Sequence, residues 1–205
     1  MHSEYIIYGI LAGIGAAISF GPAFFTITET SIQKGFLNGV FVSVGISISD
    51  IMYCTLFIFG LDRFFTDELF RIAGSLIGGA VLLGFGINHI LNSKKLTRIE
   101  VNTIRSWHQN ILKGFVVNSF NPYVPIFWAG VVTTAGINMP KGAIALFFGA
   151  MLTTTVSFDI LKSWIASRFR NVGDRNFTRW IQVVVGLLFL ILGLYLLASA
   201  FVRLF

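Results

Sequence analysis

The stretch RWIQVVVGLLFLILGLYLLASAFVR fills residues 179–203, with no charged residue between its two arginines. A helix rises about 1.5 Å per residue and needs roughly 20 apolar residues to cross the hydrocarbon core of a bilayer. This stretch therefore predicts a transmembrane helix. Outward along the chain, charge is also missing from Glu4 to Glu29, from Arg71 to Lys94 and from Lys113 to Lys141. Two further stretches, Lys34 to Asp62 and Lys141 to Lys162, are each interrupted by one acid, Asp50 and Asp159. Six spans are predicted. The expected fold is an all-α integral membrane protein with one transmembrane domain over residues 1–205.

Composition points the same way. Of the 205 residues 55% are hydrophobic and 12% are charged, about half the charged share of a soluble domain. The first span opens four residues from the start, with no basic segment before it and no small-residue cleavage site after it. It reads as a mature helix rather than a signal peptide. The net charge of +6 sits between the spans, so the partner it suits is the anionic cytoplasmic leaflet of the lipid bilayer and not nucleic acid.

Loop charge also sets the expected orientation. Lys34, Lys94, Lys95, Arg98, Arg105, Lys113, Lys162, Arg168, Arg170, Arg175 and Arg179 fall on one side; Arg63, Arg71, Lys141 and Arg203 fall on the other. The richer side is cytoplasmic, which puts both termini outside the cytoplasm of a bacterial cell membrane. Within the loop predicted over about 92–113, Trp107-His108-Gln109 reads as a short interfacial segment.

The chain repeats itself. Ser19-Phe20-Gly21-Pro22 returns as Ser119-Phe120-Asn121-Pro122, Asp50-Ile51 as Asp159-Ile160, and Arg71 with Gly78 as Arg179 with Gly186. The order is kept and the offsets are nearly constant. Repeat A covers about 1–91 and repeat B about 114–205. Three spans is an odd number, so the two halves lie in opposite senses across the membrane, the inverted arrangement of many secondary transporters.

Both prolines of the first repeated motif fall inside spans. Proline removes a helix hydrogen bond and drives the residue before it out of the α region. Gly21 accepts such a backbone, and Asn121 is a strong N-cap with Pro122 favoured directly after it. Spans one and four are therefore expected to be broken helices, whose restarted N-termini suit a substrate carboxylate. A plain kink relieved by a neighbouring helix is the alternative at either site. Asp50 lies about 18 Å into its span, where an ionised carboxylate costs about 2.5–3.5 kcal/mol on insertion scales. Ser43, Ser47 and Asp50 share one helix face, although an interhelical hydrogen bond that only holds packing would also explain such a stripe. Asp159, on a face with Thr155 and Lys162, sits nearer the cytoplasmic end, where Lys162 can neutralise it.

Other features carry less. Cys54 is the only cysteine, which excludes an intrachain disulfide and a cysteine metal site. His89, beside Asn88, reads as interfacial. Glu29, among Thr26, Thr28, Thr30 and Ser31, reads as a solvated cap ending span one. The Gly9-Gly13 and Gly74-Gly78 spacings suit close helix packing, within or between subunits. Thr153-Thr154-Thr155 is a polar face without an assigned role.

Three blocks of residues resemble the lysine-exporter (LysE/RhtB) family of amino-acid efflux proteins. The first is Ser19-Phe20-Gly21-Pro22 with Lys34-Gly35, Gly39, Gly45 and Asp50. The second is Ile72-Ala73-Gly74 leading to Gly84-Phe85-Gly86-Ile87. The third runs from Gly114-Phe115 through Asn118, Asn121, Pro122, Phe127 and Ala129. The resemblance implies a small secondary exporter of amino acids or similar metabolites driven by an ion gradient. Where the family often has Pro-Gly-Pro and Asn-Pro-Lys, this chain has Phe20 and Tyr123, so a basic substrate is not implied.

The expected substrate site comprises Gly21, Pro22, Ser47, Asn118, Asn121 and Pro122, with Asp50 and Asp159 as proton-coupling acids. The alternative is an inorganic ion or metal cation carrier, against which stands the lack of a His or Cys ligand cluster in the spans. A carrier of reducing equivalents needs two exchangeable thiols. No nucleophile, base and orienting group come together, so no enzyme, cofactor or metal is expected; a homo-oligomer is left open.

Overall fold

A computed structural model of the protein describes residues 3–18, 21–59, 68–93, 107–169 and 175–204. These residues form eight helices and no strand: α1 (Ser3–Ala17), α2 (Pro22–Lys34), α3 (Phe36–Ile58), α4 (Glu68–Asn92), α5 (Trp107–Ser119), α6 (Tyr123–Asn138), α7 (Lys141–Arg168) and α8 (Arg175–Leu204). Four segments are long and apolar enough to cross a membrane by themselves: Phe36–Ile58, Ile72–Leu91, Gly142–Arg168 and Arg179–Arg203. The pair α1 and α2 is bent by 72°, and the pair α5 and α6 by 71°. Counting each bent pair as one span raises the number from four to six.

The breaks have local causes. α2 begins with Pro22 at its first position after an extended Gly21, where the missing proline N–H costs nothing because the first turn has no partner for it. α5 ends at Ser119, before the Asn121-Pro122 pair that starts α6. The freed carbonyl of Ser119 accepts the Tyr53 hydroxyl at 2.6 Å, the kind of compensation a broken membrane helix requires. α2 turns into α3 through Gly35 at φ 90°, a left-handed conformation that glycine enters without steric cost.

Small residues bring the helices together. α4 packs along α8, where Gly79 faces Gly193 and Gly86 faces Gly186. α1 packs on α7, and a Cβ on Gly13 would lie 2.7 Å from the Met151 carbonyl oxygen. α5 packs on α3 with Gly114 against Val42 and Gly45 against Ile111. The first half of each bent pair thus lies on a straight helix from the other half of the chain. Of the Gly74-Gly78 pair, a Cβ on Gly78 would lie 2.7 Å from the Phe120 ring, and one on Gly74 would meet open space within this chain. Only 22% to 44% of the crossing windows is buried inside the protein, so most of their apolar surface is left for lipid.

The loop expected over 92–113 is shorter than its charge pattern suggested. Helix α5 already begins at Trp107, with Trp107 and His108 exposed in its first turn. Lys113 therefore stands in mid-helix instead of at a helix start. Ser19, Phe20, Arg63, Lys94, Lys95, Arg98, Arg105 and Arg170 lie outside the described residues.

Candidate functional site

Six helices and the two breaks that carry Gly21 and Asn121 line a cavity of about 640 Å³, including its open mouth, with Gly21, Asp50, Asn118, Asn121 and Asp159 among the residues expected from sequence. The two helix restarts meet there. A Cβ built on Gly21 would lie 3.9 Å from Asn121 Nδ2. The restarts differ in chemistry. Asn121 Oδ1 accepts the Tyr123 N–H at 3.2 Å, the side-chain bond of an N-cap with Pro122 as first residue. Gly21 offers α2 no side-chain cap. Among the described residues, a side-chain bond of this kind holds the start of α6 and not that of α2.

Asp50 enters from α3. Its Oδ1 accepts two donors, Asn118 Nδ2 at 2.9 Å and Trp128 Nε1 at 3.0 Å. Asn118 Nδ2 also approaches the Ile46 carbonyl at 3.4 Å. Both donors fall on one oxygen, and Asp50 lines the cavity. A carboxylate held this way can accept a proton or an ammonium group without giving up its anchors. Asp159, on α7, is buried and receives Lys162 Nζ at 2.8 Å. That lysine also lies over the Phe24 ring, 5.8 Å from its centre. The remaining wall includes Phe24, Tyr123, Val124, Phe127 and Met151.

Three expected site residues do not line the cavity. Pro22 and Pro122 start α2 and α6 without contributing to the cavity wall. Ser47 donates to the Ser43 carbonyl at 2.9 Å, and Ser43 to that of Gly39 at 3.1 Å, so this part of the polar stripe is spent within its own helix. Trp128 escaped the sequence reading, because an indole in an apolar run gives no sign of its partner.

One expectation is overturned. Glu29 is not a solvated cap: it is 2% exposed, with His89 Nδ1 at 3.0 Å, Lys113 Nζ at 3.3 Å and a bond from Gln33 Nε2 at 3.0 Å. His89, in the last turn of α4, is buried within the protein beside that carboxylate. The helix continues past Glu29 to Lys34, which turns its carboxylate inward between α4 and α5, where basic groups compensate the burial.

The sequence matches the family described as LysE type translocator over residues 14–200. An uncharacterized membrane protein of Haemophilus influenzae is 27% identical over 184 residues, 84% of this chain and 86% of that protein. The threonine efflux protein of Escherichia coli K12 is 23% identical over 194 residues, 91% of this chain and 94% of that protein. No solved structure matches the chain.

Proposed function

The chain belongs to the LysE type translocator family, and on that premise we propose that it is a proton-coupled secondary exporter of amino acids or related small metabolites across the bacterial cytoplasmic membrane. The observation that carries this function is the meeting of both helix restarts and both membrane acids in one cavity. A zwitterion has two charged ends, and the cavity offers each a partner. The start of α2 at Gly21 and Pro22 suits the carboxylate, and the Asp50 carboxylate suits the amine or the coupled proton. The aromatic and apolar wall receives the rest of the substrate. Asp159 takes a secondary part because Lys162 already neutralises it.

Six spans in two inverted halves follow naturally from this mechanism. Each bent pair is one span, and the packing of α1 on α7 and of α5 on α3 is what exchange of the halves would produce. Both termini then lie outside the cytoplasm. The threonine efflux relative supports amino acids as the substrate class. Purified protein in liposomes should release one or more radiolabelled amino acids faster under an imposed pH gradient than without one. No release of any amino acid, with gradient-driven release of an inorganic cation, would move the protein to the other carrier class.

A further inference from the structure

α2 runs away from the cavity at Gly21 toward Gly35, and α5 runs toward the cavity from Trp107 to Asn118. Glu29 is thus about 12 Å along α2 from Gly21, and Lys113 about 7.5 Å along α5 from Asn118. Both are displaced toward the end of the bundle where α5 begins. His89, in the last turn of α4, reaches the same carboxylate. Glu29 Oε1 is 3.0 Å from His89 Nδ1, and Oε2 is 3.3 Å from Lys113 Nζ. Lys113 Nζ donates to that carboxylate, so α2 is bonded to α5, while the His89 ring of α4 stands against the other oxygen without a hydrogen bond of good geometry.

The neighbouring links at this end are also polar. Asn110 Nδ2 donates to Asn38 Oδ1 at 2.7 Å, joining α5 to α3. Ser31 and Ser163 join α2 to α7 at 2.9 Å. In the other direction from Asp50, the helices pack on Phe57, Phe147 and Phe148. Parting such an apolar seal exposes hydrocarbon at about 25 cal/mol per Å². A buried ion pair, by contrast, gives up a Coulomb attraction that its desolvation had largely offset. The polar end is the easier one to open to water.

We propose that the Glu29–Lys113 pair, with the His89 ring packed against the same carboxylate, forms an ionic latch that holds α2 against α5 and closes the cavity toward the Trp107 end of the bundle. The latch rests on the carrier function above, and it releases when the cavity opens to that side.

The test is sided labelling of one cavity cysteine, Thr155→Cys in a Cys54→Ala background, in right-side-out and inverted vesicles. A membrane-impermeant thiol reagent is used, and His108→Cys, exposed at the start of α5, identifies which side faces the latch. Glu29→Gln and Lys113→Gln should each speed labelling from that side by about tenfold or more, the factor that about 1.4 kcal/mol represents. Labelling from the other side should not change. An unchanged rate, or an equal rise from both sides as general loosening would give, overturns the latch. Lys113 is partly exposed, so its variant should insert and decide the matter even where Glu29→Gln does not. Labelling needs no substrate, so a failed latch and a failed carrier assignment remain distinguishable.

Discussion

Replacing Asp50 with asparagine separates charge from shape at the centre of the cavity. The amide keeps an oxygen for Asn118 and Trp128, whose donors lie 2.9 and 3.0 Å from Oδ1. A hydrogen bond to a charged group contributes about 1.5–3 kcal/mol, against about 0.5–1.5 for a neutral one. Two such bonds weakened together cost about 2 kcal/mol. In the opposite sense, an ionised Asp at mid-membrane costs about 2.5–3.5 kcal/mol, much of which the amide avoids. The two effects nearly cancel, so Asp50→Asn should insert and keep a stability within about 1 kcal/mol of the parent. Asp50→Leu, which strands both donors at about 1–3 kcal/mol each, should be clearly less stable. Function should separate differently. In liposomes Asp50→Asn should lose net efflux driven by a pH gradient, since the amide cannot cycle a proton. Exchange of labelled for unlabelled substrate at equal pH should survive, since exchange need not release that proton. Asp159→Asn should be milder, given the Lys162 partner of that acid. Driven efflux at the parent rate in Asp50→Asn would refute the coupling role, and a worse defect in Asp159→Asn would reverse the ranking of the two acids.

Asn121→Leu removes the cap on α6, worth about 0.5–2 kcal/mol, and a polar group from the cavity; substrate affinity should fall while the protein still purifies, as a binding assay would show. Gly114→Ala places a methyl against the Val42 carbonyl and should destabilise the α3–α5 pair by about 1–3 kcal/mol, whereas Gly74→Ala, with open space around it, should leave detergent melting unchanged. In a Cys54→Ala background, cysteine at His108 should be labelled only from the cytoplasm and cysteine at Gly142 only from outside. Labelling of the His108 position in intact cells by an impermeant reagent would invert the proposed orientation.

The sequence by itself determined where the chain enters lipid. Runs such as 180–202 hold no charge, and a bilayer admits a backbone only when every amide is bonded within its own helix. It also showed where two of those helices stop, because proline acts on its own four-residue neighbourhood. Asn121 as a cap was legible for the same reason. What charge spacing misplaced were residues whose meaning is set across the bundle. Glu29 had the local look of a solvated helix end, and only the approach of α4 and α5 makes it a buried ion pair. Ser47 shared a face with Asp50, but its own helix takes its hydroxyl. The partnership of Asp50 with Asn118 and Trp128 was equally invisible, since those residues stand 68 and 78 positions away. Periodicity reports which face of a helix is polar; it does not report which other helix will meet that face. Tertiary packing decided that, through glycines that let α3, α5 and α7 approach closely enough for their few polar side chains to find one another.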